Sequence, residues 1–397
     1  MRSSRYATLQ AIGPEHEFSI IDDGLRPLPI SDKVLRQLHG RIVNNVSIGK
    51  VKLGKELQSH VLEFRPMLPF ESMKVFEETM CEAVLRTWNF LENTFNAKMM
   101  GLGMHPFLKL QEASVWSHKD KRIYDALNRL FNLRQHGWLN IQSFQMNLSY
   151  QNERDAVKMH NSLRVILPCL VAISASSPIY ESKVGEFLDN RLFFYFTSQS
   201  SLPSITGDIV PEPMRCFDHY KRTVNQKYLR DLRVAGAPRF LMKEWINSRG
   251  VIVRFTRRSL EVRLLDEQES IKADVGLACF VRAAVRGLLN QQQYVSQQTL
   301  VHNLWSAMKD GLNARFVPGD TSAKKTCSEL YKTAYENAAE EEKRYLPIAL
   351  DRITNGNLAE RILRNLRGYC SKHGFDEALN RIFRSVAECL RENRIYQ

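Results

Sequence analysis

Polar and apolar side chains alternate over residues 139–150 of the chain. Successive side chains of a β-strand point to opposite faces, so this period of two predicts a strand with one apolar and one polar face. A solvated strand face would favour Thr or Val over amides and small hydroxyls, so the polar face is a candidate site. The apolar positions are Phe144, Met146, Leu148 and Tyr150, and the polar positions are Ser143, Gln145, Asn147 and Ser149.

Other predicted strands repeat this design with charged residues on the polar face. In residues 12–20, the alternation places Glu15 and Glu17 on the same face. Two acids at this spacing repel each other unless a cation lies between them, although an edge strand that faces water shows the same pattern. A later strand, within residues 251–266, has Glu261 and Arg263 on one face, which by itself is also typical of an ion-paired surface.

The stretch of residues 54–66 contributes two more acids, Glu56 and Glu63. They have opposite parity in an unbroken strand and would point to opposite faces. Both can reach one site only if a bulge or loop interrupts the strand near Gln58 and Ser59. The sequence therefore predicts an irregularity at that point.

Apolar residues recur at helical spacing in much of the remaining chain. They predict helices over residues 31–48, 71–97, 120–135, 154–176 and 271–296. Proline and glycine interrupt residues 181–250, which we interpret as long connecting segments with short helices that could form a lid. We therefore predict an α+β chain with a catalytic core over residues 1–296 and a helical C-terminal extension over residues 297–397 that packs on the core.

Composition narrows the class of protein. The 397 residues carry a formal net charge of +13, which allows nucleic-acid binding, but the basic residues are spread along the chain and favour attraction of small anions instead. The seven cysteines form no Cys-x-x-Cys pair, which favours a reducing, cytoplasmic compartment. We expect no membrane span, since there is no run of about 18 apolar residues, and no secretory signal.

The predicted polar faces carry five glutamates, which would repel one another strongly if they were buried without counter-charges. Mg²⁺ or Mn²⁺ would resolve this repulsion, because both ions prefer carboxylate, amide and water oxygens. The chain has no Gly-x-x-x-x-Gly-Lys-Ser/Thr loop, so metals and arginines would have to hold nucleotide phosphates. The candidate metal ligands are Glu15, Glu17, Glu56, Glu63, Gln145 and Glu261.

Five short motifs follow one another over residues 8–296. They are Gly13-Pro14-Glu15-His16-Glu17-Phe18, Glu56-Leu57 with Val61-Leu62-Glu63, Gly103-Met104-His105-Pro106-Phe107, Ser174-Ala175-Ser176-Ser177-Pro178 with Arg191, and Leu260-Glu261-Val262-Arg263-Leu264-Leu265-Asp266. Each is similar to a motif of the glutamate–cysteine ligases and the related carboxylate–amine ligases, and the order is the same. The chain therefore resembles that family.

The resemblance implies a glutamine-synthetase-like fold: a curved antiparallel β-sheet with an open, metal-bearing face and helices packed on its other face. It also implies that ATP phosphorylates a carboxylate, for which glutamate is the first candidate. An amine, for which cysteine is the first candidate, then attacks the acyl phosphate and forms an amide. The C-terminal helices could supply contacts in a homo-oligomer. The implied catalytic residues are Arg263, Arg254 and Arg191, and the implied nucleotide contacts are Gln145, Asn147, Arg263 and His105, although His105 is equally well explained as a structural histidine.

One position departs from the family pattern. Gln145 stands where the family usually has a metal-binding histidine. An amide oxygen can still bind Mg²⁺, so the ligase hypothesis survives this change. Two alternatives stay open at this point: a catalytically weak nucleotide-binding relative with a regulatory or binding role, motivated by Gln145, and a nucleic-acid-binding protein, motivated by the net charge.

Overall fold

An eight-stranded antiparallel β-sheet organises the computed structural model, which describes residues 6–291 and 294–397. Its strands are β1 (Ile12–Ile21), β2 (Asn45–Ile48), β3 (Val51–Lys55), β4 (Val61–Pro66), β5 (Lys98–Met100), β6 (Ser143–Ser149), β9 (Val251–Arg254) and β10 (Ser259–Asp266), while β7 (Ile179–Tyr180) pairs with β8 (Lys183–Val184) and β11 (Arg315–Phe316) with β12 (Thr321–Ser322). The strand order is β2-β3-β4-β1-β6-β10-β9, and β5 pairs with β1. The predicted antiparallel sheet is confirmed; its predicted curvature stays a prediction.

Sixteen α-helices lie within the described residues. They are α1 (Ser31–His39), α2 (Met73–Phe95), α3 (Lys121–Phe131), α4 (His136–Leu139), α5 (Glu153–Ser174), α6 (Asn190–Thr197), α7 (Pro203–Thr206), α8 (Phe217–Tyr220), α9 (Gln226–Val234), α10 (Ile271–Leu288), α11 (Gln297–Asp310), α12 (Ala323–Asn337), α13 (Glu340–Lys343), α14 (Leu346–Asn355), α15 (Leu358–His373) and α16 (Phe375–Glu392). A π-helical turn covers Lys221–Asn225, and 3₁₀ turns cover Arg239–Leu241, Glu244–Ile246 and Gly311–Asn313.

The hydrophobic core lies between one face of the sheet and the helices α2, α5 and α10. The apolar positions of β6 and the following Tyr150 are 0–3% exposed, as the alternation of residues 139–150 predicts. Helix α2 begins where the Ser72 side chain accepts a hydrogen bond from the Val75 amide, and it buries one apolar stripe against the sheet. We call this helix-covered side the back face and the opposite side the front face.

Several predicted boundaries were wrong. The helix predicted over residues 31–48 is α1 followed by strand β2, because Gly40 in a left-handed conformation (φ 85°) ends the helix at His39. The strand predicted from residue 139 begins at Ser143, after the single turn α4. The helix predicted over residues 271–296 ends at Leu288. In each case a short segment that is polar or contains glycine interrupts the periodic pattern.

One helix among the described residues, α5, is long and apolar enough to cross a membrane. Its apolar window is 72% buried by the surrounding sheet and helices, which is the environment of a core helix. Helices α11 and α12 pack against α5, and α12 and α14 pack against α10, so the C-terminal region lies on the helical layer behind the sheet. The functional division at residue 296 stays a prediction.

Candidate functional site

Strand register brings the predicted site residues together on the front face. In the antiparallel pairs, Glu17 lies opposite Glu63 and Glu15 lies opposite Gln145. Directly opposed residues of antiparallel strands point to the same face, with Cβ atoms about 5 Å apart. One strand further across the sheet, Glu261 lies opposite Asn147. The front face therefore carries a continuous field of carboxylates and amides.

The front-face acids are not a solvated surface. Glu63 is 6% exposed and Glu261 is 1% exposed. Strand β1, which carries Glu15 and Glu17, pairs with β4 on one side and β6 on the other, so the edge-strand alternative is wrong for these two acids. The segment of residues 245–247 reaches the Glu261 end of this face, since its Trp245 and Asn247 carbonyls accept hydrogen bonds from Arg263 Nη1 at 3.0 and 2.9 Å. The lid role of residues 181–250 stays a prediction.

Glu56 reaches the same cluster through the connection between β3 and β4. Residues 56–60 form a loop between the two strands, which confirms the predicted irregularity near Gln58 and Ser59. Burial raises the pKa of the Glu63 carboxyl well above its usual value, and the neighbouring Glu56 is the next cause. The pKa of Glu56 is itself raised by burial. The loop therefore brings Glu56 close to Glu63.

Glu17 lies at the centre of this cluster. Burial, followed by repulsion from Glu56, raises the pKa of the Glu17 carboxyl from 4.5 to about 8. Its Oε2 accepts a hydrogen bond from the Ser143 amide at 2.8 Å, and its Oε1 lies 3.4 Å from Gln145 Nε2. Three carboxylates with raised pKa values share this end of the face, and one of them is paired with a cation, since Arg65 Nε lies 2.8 Å from Glu63 Oε2.

Cations already pair with the acids at the other end of the face. Arg254 Nη1 lies 2.5 Å from Glu261 Oε2, and Arg263 Nε lies 3.6 Å from Glu261 Oε1. Arg257 Nη1 lies 2.8 Å from Glu15 Oε1. The front face is therefore polarised: the described ion pairs include neither Glu17 nor Glu56, whereas arginines pair with Glu63, Glu15 and Glu261.

A cavity of about 510 Å³ opens beside Glu15 and Asn147. Its volume is within the usual range for small-molecule sites. Four basic residues line it that the sequence analysis did not assign to the site: Lys52, Arg65, Arg257 and Arg258. The sequence held a signal for two of them, since Arg65 shares the parity of Glu63 and Arg257 lies in the short hairpin just before β10.

Two predicted site residues lie in the interior instead. Arg191 is 2% exposed, and its Nε lies 2.5 Å from Asp266 Oδ1, so this guanidinium neutralises a buried carboxylate. His105 is fully buried; burial and the nearby His60 hold the pKa of its imidazole well below the usual value. These contacts favour structural roles, and the assignment of Arg191 to catalysis and of His105 to nucleotide binding stays a prediction.

The donor set of the front face suits a hard cation. Carboxylate and amide oxygens are the ligands that Mg²⁺ prefers, and burial is the main cause of the raised pKa values of Glu17, Glu56 and Glu63. Among the described histidines, cysteines and acids, three ligand atoms within 4.8 Å of one another occur behind the sheet, in His16, Glu267 and Asp274. The front-face carboxylates are more widely spaced than that.

Fold and site together define a large antiparallel sheet with carboxylates on one face and helices on the other. The model of the glutamate–cysteine ligase family 2 (GCS2) matches residues 11–385, and the chain belongs to that family. An uncharacterized protein of Archaeoglobus fulgidus is 44% identical over 385 residues, which cover 97% of this chain and 100% of that protein.

Two solved structures share the fold at low sequence identity. The glutamate–cysteine ligase of Francisella tularensis in complex with AMP superposes with a TM-score of 0.66 at 14% identity, over 98% of this chain and 90% of that one. A bifunctional glutathione synthetase from Pasteurella multocida superposes with a TM-score of 0.59 at 13% identity, over 95% of this chain and 52% of that one.

Proposed function

We propose that this protein is an ATP-dependent carboxylate–amine ligase of the glutamate–cysteine ligase type. The observation that carries the proposal is the polarised front face, where carboxylates with raised pKa values around Glu17 lie on the same sheet as a basic cavity at Glu15. ATP·Mg²⁺ matches this arrangement, because its cation suits the carboxylates and its phosphates suit the arginines. The AMP bound to the Francisella ligase supports nucleotide use.

In this proposal, Glu17, Glu56 and Glu63 would hold Mg²⁺ or Mn²⁺ together with Gln145. Glu15 and Glu261 would hold a second ion once their arginine partners turn to the nucleotide phosphates. Mg²⁺ typically binds one or two carboxylates and completes its shell with substrate phosphates and water, which fits carboxylates that are widely spaced in the protein alone. The bound cation would supply charge neutralisation for the phosphates. Arg65 and Arg257, which line the cavity, would bind phosphate oxygens.

The chemical step is transfer of the γ-phosphoryl group of ATP to a substrate carboxylate, for which glutamate is the first candidate. The acyl phosphate then loses phosphate when an amine attacks its carbonyl carbon, and an amide forms. Arg263 lies between Glu261 and the carbonyls of Trp245 and Asn247, where it can neutralise the transferred phosphoryl oxygens. Arg254, bonded to Glu261, would reinforce that positive charge.

A screen of ADP release tests this function. With ATP, Mg²⁺ and glutamate held constant and a panel of amines varied, the purified protein should release ADP only when a suitable amine is present. The variant Glu63→Gln should abolish the release, whereas Glu82→Gln, which changes an exposed helix residue, should retain it. Absence of amine-dependent ADP release across a broad panel of acids and amines would contradict the proposal.

Gln145 motivates a second candidate function. Its Nε2 donates to Ser143 Oγ at 3.0 Å and lies 3.4 Å from Glu17 Oε1, so the side chain is already engaged within the site. The protein would then bind nucleotide but turn it over poorly, in a regulatory or binding role. Under this candidate, Gln145→His creates activity that the native chain lacks. Strong native turnover removes it.

A further inference from the structure

Strands β1 and β6 separate at the end of the front face that carries Glu17. Their last paired residues are Glu15 and Gln145, although β1 continues to Ile21. Beyond that pair, the Glu17 amide donates to Glu267 Oε2 at 2.8 Å, and the Ser143 amide donates to Glu17 Oε2 at 2.8 Å. Two carboxylates thus accept hydrogen bonds from backbone amides that have no partner in the pairing of β1 with β6.

Glu267 is itself held in place on the back face. Its Oε1 lies 3.3 Å from His16 Nδ1, and the same nitrogen lies 3.2 Å from Asp274 Oδ2. The His16 ring stacks on Phe144 with centroids 4.9 Å apart, and all three polar residues are fully buried. Burial, then the neighbouring Asp274, raises the pKa of the Glu267 carboxyl well above its usual value. The Glu267 side chain therefore has little freedom to move.

This arrangement decides which oxygen of Glu17 faces the site. Glu17 Oε2 is committed to the Ser143 amide, which leaves Oε1 for a cation. The bond from the Glu17 amide to Glu267 holds the backbone from which that side chain projects. Residues that orient metal ligands in this way commonly change metal affinity by about 10- to 100-fold when they are replaced.

We propose that Glu267 is a positioning residue for the cation site at Glu17: from behind the sheet, it holds the Glu17 backbone so that one carboxylate oxygen is presented to the metal. This inference rests on the proposed function, because it concerns the same cation. It concerns a residue that is fully buried behind the sheet, and it assigns a purpose to the buried group of His16, Glu267 and Asp274.

Mn²⁺ binding to the full chain, measured by electron paramagnetic resonance, tests the inference without depending on turnover. Glu267→Met removes the acceptor and should weaken Mn²⁺ binding by about tenfold or more. Glu267→Gln keeps an oxygen acceptor and should stay within about threefold of the native protein. If Glu267→Met does not fold, Glu267→Asp replaces it, because the shorter side chain cannot reach the Glu17 amide, and the same loss is expected.

Glu342→Gln is the matched control. Glu342 is also fully buried and pairs with two arginines, Arg282 and Arg286, but it lies in the C-terminal helices. Its replacement should lower stability without changing Mn²⁺ affinity. Folded Glu267→Met or Glu267→Asp that binds Mn²⁺ like the native protein would overturn the inference alone. A native protein that binds no Mn²⁺ and releases no ADP would instead overturn the proposed function.

Discussion

Replacing Glu17 with glutamine removes one ionisable group from the front-face cluster and keeps the size of the side chain. Burial and the neighbouring Glu56 raise the pKa of the folded carboxyl to about 8, whereas its ordinary value is 4.5. Folding at neutral pH therefore takes up a proton. Because the raised value belongs to the folded state, the contribution of Glu17 to the stability of the metal-free protein is most favourable below about pH 4.5 and falls until about pH 8.

The magnitude follows from the shift. The pKa of the unfolded carboxyl is 4.5, so pH 7 lies about 2.5 units above it. Each unit corresponds to about 1.4 kcal/mol, so proton uptake on folding costs about 3 kcal/mol. Interaction with Glu56 divides this cost between two groups and leaves roughly 1–3 kcal/mol for Glu17. The amide of Glu17→Gln takes up no proton. We expect the variant to be more stable than the native protein by that amount at pH 7 and about equal to it at pH 4.

Urea denaturation followed by circular dichroism, in the presence of a chelator and at intervals from pH 4 to pH 9, measures this difference. Glu82→Gln, an exposed change on α2, should leave the free energy of unfolding within about 0.5 kcal/mol at every pH. Added Mg²⁺ should stabilise the native protein more than Glu17→Gln, because binding to the folded state adds stability. If Glu17→Gln is less stable than the native protein at pH 7, or follows the native pH profile, then the pKa of Glu17 is not raised in the folded protein.

Three further predictions concern the arginines and the cavity. Arg191→Met leaves Asp266 buried without its partner and should lower the free energy of unfolding by roughly 3–5 kcal/mol in urea titrations, and a loss below 1 kcal/mol would contradict the structural role. Arg257→Ala should leave stability nearly unchanged but weaken ATP binding by about tenfold in calorimetry, since the exposed guanidinium lines the cavity. Gly13→Leu should also weaken ATP binding. A Cβ at Gly13 meets Asn147 and Pro69 at the ordinary contact distances of 3.6 and 3.9 Å, so a longer side chain would fit and enter the cavity. Unchanged affinity in that variant would place the nucleotide elsewhere.

The candidate site divides into a part that local sequence could predict and a part that it could not. Alternation placed Glu15 and Glu17 on one face because side-chain direction in a strand depends only on parity. The opposition of Glu17 to Glu63 depends on pairing between strands more than 40 positions apart, which parity does not specify. The resemblance to a known family predicted that these residues share one site. It predicted nothing about Glu267, which none of the five motifs contains.

The sequence by itself determined the composition of each face: an apolar back, a front of carboxylates and amides, and the loop that lets Glu56 join Glu63. These follow from periodicity, which is a local property. The tertiary structure alone decided which charges are neutralised. It paired Arg191 with a buried aspartate and Arg257 with Glu15, and it left Glu17 beside other carboxylates with a raised pKa. Burial and charge pairing depend on neighbours brought together from distant parts of the chain, and no local pattern encodes them.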